Sequence, residues 1–304
     1  MSVLTHPSNR LATAVLLFSA SLWGLSWMPL KWFIGQGLTG PLVTLLSYGL
    51  VGLVTVGLIW RERSAWRAQW MLLALLLVVG GWGNTAFVHA LMVGDVVRVM
   101  FLFYLAPVWG LLGGWLFLRE RIPPLRWAAV GLALLGLWLF LGGPGGVSLA
   151  FSTTDLLALS AGMGFAANNV VSRAAQGIPM VSKTLAVFVG CGLFSLAMAG
   201  DSLGAVASIG PVVWLALLAY GFLWLLLATA TWQFGVTHIE SSRAGVLLLA
   251  ELLVAVLSAI WFGDESMTPI EWLGGALIAT AALVEAVDFS PAPNQNTEAQ
   301  RQGP

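Results

Sequence analysis

A chain of 304 residues with 59% hydrophobic and 9% charged residues and a mean hydropathy of +0.91 departs from soluble domains, where about a quarter of residues are charged. It reads as an integral membrane protein. Lys+Arg and Asp+Glu both number 13, so no basic excess points to nucleic acid, and the single cysteine, Cys191, excludes an intrachain disulfide or a thiolate cluster.

A helix needs about 20 apolar residues to cross the hydrocarbon. Charges and Gly/Pro clusters divide the chain into ten such stretches: 11–33, 41–60, 70–92, 96–118, 125–142, 155–173, 183–200, 211–235, 242–263 and 270–287. The first, Leu11 onward, resembles a signal-peptide core, but no small-residue cleavage site follows and the apolar run continues through Trp23 and Trp27. Connections are short and leave no room for a soluble domain. The organisation expected is a cytoplasmic N-terminus at 1–10, a five-helix unit at 11–142, a linker at 143–154, a second five-helix unit at 155–287 and a disordered cytoplasmic tail at 288–304. Ten spans place both termini on one side. Eleven of the 13 Lys and Arg residues fall on that side, opposite only Lys31 and Arg98, so the positive-inside rule makes it cytoplasmic, in the cell's inner (plasma) membrane.

The two halves resemble each other. A shift of 145 residues pairs Arg98 with Arg243, Glu120 with Glu265, Pro124 with Pro269 and Trp127 with Trp272, while a shift of 140 pairs Gly24 with Gly164 and Gln36-Gly37 with Gln176-Gly177. Five spans per copy force the second copy into the membrane upside down. Charge agrees: loop 119–126 carries three arginines, and its counterpart 264–271 carries three acids and no cation. Inverted repeats are characteristic of secondary transporters, whose substrate site lies near the midplane between the halves. Gly110 and Gly114, with their repeat mates Ala255 and Ala259, form small-xxx-small surfaces that suit close helix packing, within one chain or between two.

Trp23-Gly24 followed by Lys31, the stretch Tyr104-Leu105-Ala106-Pro107 leading to Phe117-Leu118-Arg119-Glu120, and Ala250-Glu251-Leu252 leading to Phe262-Gly263-Asp264-Glu265 resemble the EamA-type branch of the drug/metabolite transporter superfamily, in the manner of its aromatic amino acid exporters. The resemblance spans residues 11–287. Leu252 stands where the family's second copy usually has proline, and Met163-Gly164 where it often repeats Trp-Gly. It implies an all-α, ten-helix exporter with a central cavity, and amino acids, including aromatic ones, as the substrate class.

Ionisable groups inside the hydrocarbon are costly and usually face a cavity or a partner. Glu251, about midway along its span, is the foremost such group, suited to carrying a proton or gating the pathway; a structural carboxyl holding helices together fits the same pattern. His89 can donate to a carboxylate or relay a proton, although lone histidines more often pack. Asn84 and Asn168 are amides able to hold a zwitterion or to bond between helices. Among 16 tryptophans, those at span ends suit the headgroup level; Trp23 and Trp224, with Tyr104 and Tyr220, lie inside spans and can clasp a planar substrate or simply face lipid. Lys31 and Arg98 at the outer mouth, the latter within reach of Asp95, and Arg243 at the inner mouth can steer or gate a substrate, or snorkel. Lys31 and Lys183 stand outside any P-loop pattern, so a gradient or a partner must supply the energy for any movement.

The substrate-binding set is therefore Trp23, Asn84, His89, Tyr104, Asn168, Tyr220, Trp224 and Glu251, with Lys31, Arg98 and Arg243 at the mouths. No cofactor or metal is indicated: His6 and His238 lie far from His89. The partners expected are a small-molecule substrate and the bilayer, with monomer and dimer both open. A passive channel is the main rival reading, and a membrane-embedded enzyme a weaker one, because no HExxH motif or acid cluster is present.

Overall fold

The computed structural model describes residues 9–118, 124–141, 152–238 and 241–286. The glycine-rich linker, the arginines at 119 and 121 and the tail at 288–304 lie outside the described residues, as do the side chains of Arg243 and His238. Among the described residues the structure is helical, without strands. Six helical runs are long and apolar enough to cross a membrane: 10–35, 40–61, 63–93, 96–117, 180–208 and 211–232. Three shorter apolar helices accompany them, at 124–140, 249–262 and 269–284.

Several spans that read as continuous are interrupted, and proline explains two interruptions. The first run divides into α1 (Asn9–Gly24) and α2 (Trp27–Gly35), with the break just before Pro29. The fourth divides into α7 (Val96–Phe103) and α8 (Ala106–Leu118), with the break before Pro107. Each proline removes the amide that would have bonded four residues back and crowds that carbonyl, so the helix ends one turn ahead of it. For Pro107 the carbonyl concerned is that of Phe103. It lies against Gly162, where a Cβ would stand 2.8 Å from the oxygen.

The second run comprises α3 (Gly40–Thr44), a π-helical turn at Leu45–Gly49 and α4 (Leu50–Arg61). The connection expected at 61–69 holds the short α5 (Arg63–Trp66) and a 3-10 turn, Arg67–Gln69, before α6 (Trp70–Val93). After α9 (Pro124–Phe140) come α10 (Thr153–Ala174), α11 (Met180–Ala199) and a 3-10 segment, Gly200–Ser208, in what was expected to be loop. α12 (Pro211–Ala219) and α13 (Leu226–His238) flank a second π-helical turn, Tyr220–Leu225. α14 (Ser241–Phe262) and α15 (Pro269–Ala286) complete the bundle. The two π turns meet: a Cβ on Gly221 would sit 3.0 Å from the Ser47 carbonyl. Such turns carry one extra residue and recur at functional sites.

α10 is long enough to span but contains Asp155, Ser160, Asn168, Asn169 and Ser172. It packs against α6, α7 and α8, with Asp155 buried, Ser160, Asn168 and Ser172 half-buried and Asn169 exposed. α1 packs on α13 and α14, α11 on α6, and α9 on α15. The last pair cross where Gly136 and Gly274 each lack a Cβ that would come within 2.7 and 2.6 Å of the other's carbonyl oxygen. Ala255 and Ala259 of α14 are fully buried, and Gly110 of α8 faces Ala166 of α10. Close approach of this kind stands in for the hydrophobic drive that lipid does not supply.

Candidate functional site: a buried carboxyl and a clamped half-helix

Glu251 is 7% exposed, midway along α14. The side chain of Tyr104, at the break between α7 and α8, lies beside its carboxyl. Its backbone carbonyl meets α1 at Gly24, where a Cβ would stand 2.7 Å away. Three turns of chain are thus drawn to one point: the end of α1, the middle of α14 and the kink made by Pro107. Two turns further along α14, Trp27 Nε1 donates to Ser258 Oγ at 2.9 Å, and that hydroxyl donates to the Ala255 carbonyl at 3.1 Å.

The first turn of the half-helix α7 is held by two carboxylates from the second half of the chain. At its start, the Glu265 oxygens accept from the Val96 and Val97 amides at 2.6 and 2.8 Å, satisfying two donors that a helix leaves open. One residue on, Arg98 donates to Asp155 through Nε at 2.6 Å and through Nη2 at 2.9 Å. At its end, Tyr104 lies beside Glu251. Asp155 is itself fixed by a capping box with Ser152, which starts α10. Arg98 therefore pairs with Asp155, whereas the sequence had offered Asp95.

An open cavity of about 690 Å³ lies over this end of the bundle. Trp27, Phe140 and Phe262 contribute apolar walls, and Lys31, Arg98, Asp95, Asp264, Glu265 and Glu271 contribute charge. Lys31 Nζ donates to the Gly94 carbonyl at 2.6 Å. The left-handed backbone of Asp264, φ 55°, turns the chain from α14 toward Glu265.

The remaining nominated residues separate into smaller groups. Asn84 Nδ2 donates to the Gly80 carbonyl at 2.9 Å, and Asn168 Oδ1 lies 2.7 Å from where a Gly80 Cβ would be, so both amides adjoin Gly80. His89 packs against Gly40 of α3. Tyr220 is buried edge-on to Phe33, ring centroids 5.9 Å apart. Trp224 Nε1 donates to the Leu22 carbonyl at 3.2 Å, next to the half-buried Trp23. An aromatic cluster adjoins Tyr104: the Phe103 centroid is 5.8 Å from that of Tyr104, 4.5 Å from Phe87 and 5.5 Å from Phe165.

Sequence reasoning missed Asp155, Glu265 and Ser258 as site residues. Asp155 carried a readable signal, a serine three residues before it in capping-box spacing. Glu265 carried one too, as repeat mate of Glu120. Ser258 had none beyond sharing the Glu251 helix face.

Helices long and apolar enough to cross a bilayer, packed about an interior carboxyl, fit a multi-pass membrane protein. The EamA-like transporter family matches residues 11–142 and again residues 152–285, and the chain belongs to that family. It is 28% identical over 191 residues to the uncharacterized transporter YwfM of Bacillus subtilis (strain 168), a match that covers 61% of each chain. A crystal structure 21% identical in sequence superposes with a TM-score of 0.57, covering 91% of this chain and 96% of its own, which is a likeness of fold.

Proposed function

We propose that the protein exports small metabolites, amino acids and aromatic ones among them, across the plasma membrane by alternating access. Its ten spans form two inverted five-helix repeats, with both termini cytoplasmic. Span one is α1 with α2, span four is α7 with α8, span six is α10, and span nine is α14. The substrate passes between the halves, past Glu251, Tyr104, Trp23 and Trp224, with the amides of Asn84 and Asn168 and the imidazole of His89 bordering the path. Tyr220 shapes its far wall. Lys31 and Arg98 guard the outer mouth, and Arg243 the inner one.

One observation carries this reading: the halves cross one another reciprocally. Gly24 of span one rests on the backbone of Glu251 in span nine, and Gly162 of span six rests on the backbone of Phe103 in span four. Repeat shifts of 140 and 145 residues exchange these contacts to within about one turn of helix. Such an arrangement has two equivalent ways of opening, one toward each side, which is the basis of rocking carriers.

Counterflow in proteoliposomes tests it. Vesicles preloaded with unlabelled phenylalanine are expected to accumulate external labelled phenylalanine transiently and saturably, and Trp23→Ala is expected to weaken phenylalanine more than leucine. Flux that rises linearly with concentration and shows no exchange would identify a pore.

A further inference from the structure

We propose that the connector between α4 and α6 is a docking site for an anionic phospholipid headgroup: Arg61, Arg63 and Arg67 hold its phosphate, and Trp60 and Trp70 cover its glycerol and upper acyl segments. The proposal requires that the chain span a bilayer and is independent of what the protein carries.

The connector is pinned to the protein along one side. Glu62 accepts a hydrogen bond from the hydroxyl of Ser182, a fully buried residue in the first turn of α11. Four residues on, Trp66 Nε1 donates to the Ile59 carbonyl at 2.8 Å, and its ring packs against the buried cluster that includes Leu73 and Ile178. Three residues further, the Gln69 amide lies against Gly177, where a Cβ would stand 3.2 Å from Nε2. Steps of four and three put these anchors on one helical face. The other face is left outside the protein: Arg61, Arg63, Ser64 and Arg67 are all exposed.

Charge says what that face receives. The one acid of the connector, Glu62, is turned onto Ser182, and no ion pair with a described residue takes up the three arginines. The chain as a whole has a formal net charge of +0, so this strip is a local concentration of cations and its complement is an anion. The rings fix the depth. Trp60 stands at the end of α4 and Trp70 opens α6, 65% and 58% exposed, and tryptophans at span ends belong at the headgroup level. The Arg63 guanidinium carbon lies 5.5 Å from the centroid of the Trp60 ring, and Nη1 donates to the Trp60 carbonyl at 3.4 Å. A cation tied to that ring is carried to the depth of the lipid phosphates. Guanidinium forks match the paired oxygens of a phosphodiester, and Arg63 and Arg67 stand about one turn apart on the same side. Free phosphate would meet the arginines alone. A lipid also covers Trp60, Trp70 and Met71, the last 67% exposed, which favours a lipid as the occupant.

Native mass spectrometry tests this on the full chain, released from a neutral detergent with phosphatidylglycerol or with phosphatidylcholine of the same acyl chains. The wild type is expected to carry at least about fivefold more of the anionic lipid. Combined Arg61→Gln, Arg63→Gln and Arg67→Gln should lower its adducts about tenfold. The corresponding triple lysine replacement keeps the charge that orients the chain on insertion and should lower them about threefold. Arg10→Gln, at an exposed arginine at the start of α1, should change them less than about twofold, as should excess glycerophosphate. The proposal is overturned by equal binding of the two lipids, by equal losses in Arg10→Gln and the triple glutamine variant, or by unchanged adducts in the triple lysine variant, which decides alone where the glutamine variant fails to fold. Displacement by glycerophosphate overturns it too, since that marks a phosphate site without a lipid.

Discussion

Arg98 and Asp155 form a two-pronged ion pair, Nε to Oδ1 at 2.6 Å and Nη2 to Oδ2 at 2.9 Å, that ties α7 in the first half of the chain to α10 in the second. Asp155 is 2% exposed and Arg98 36% exposed, so the carboxylate depends on this partner and the guanidinium keeps partial access to water. The planar fork of arginine matches both carboxylate oxygens, which a lysine does not.

Asp155→Ala is expected to destabilise the folded protein by about 2 kcal/mol, less than for a wholly buried pair because Arg98 is partly solvated. The loss includes the capping box with Ser152. Arg98→Met alone and in combination with Asp155→Ala completes a double-mutant cycle. A coupling energy indistinguishable from zero in thermal unfolding in detergent would show that the pair is incidental.

Glu265→Ala is expected to cost about 1–2 kcal/mol, since it leaves the Val96 and Val97 amides without their acceptors. Amide exchange should accelerate over α7 and remain unchanged over α9 and α15. Glu265→Gln, with one acceptor oxygen retained, should fall between wild type and the alanine variant. Uniform acceleration across the whole bundle would show a global effect in place of a local latch.

Glu251→Gln is expected to remain folded, because the amide keeps the shape of the carboxyl and removes only its titration. Initial exchange rates in proteoliposomes should vary with pH in the wild type and lie flat in the variant, which has no titrating carboxyl at that position. Parallel pH profiles in the two proteins would reduce Glu251 to a structural carboxyl.

Gly24→Ala places a methyl 2.7 Å from the Glu251 carbonyl oxygen and 3.0 Å from Val254 Cβ. Backbone cannot yield as a flexible side chain does, so α1 and α14 must separate, at a cost of about 1–3 kcal/mol. Gly35→Ala, where a Cβ would meet no atom within 4 Å, serves as the control. Equal thermal stability of the two variants would remove the close contact from the account.

Much of the architecture was legible in the chain because a bilayer imposes a simple rule: a crossing helix is a long apolar run between polar ends. Glu251 stood out for the same reason, as a carboxyl in the middle of such a run. The breaks in the first and fourth runs were implicit in Pro29 and Pro107, although the reading by hydropathy passed over them because proline is tolerated in transmembrane helices. The π turns at Leu45–Gly49 and Tyr220–Leu225 left no readable trace, since they arise where one segment fits against another.

Composition, run length and charge placement by themselves determined that this is a membrane protein of two similar halves with an ionisable group inside, because these properties are sums over local sequence. Only the tertiary structure decided which acid meets which base. Arg98 chose Asp155, 57 residues away, over the nearby Asp95, and Glu265 crossed 169 residues to cap α7. Those choices depend on where helix ends fall in space, and that position is set by side-chain packing across the whole bundle rather than by any one stretch of chain.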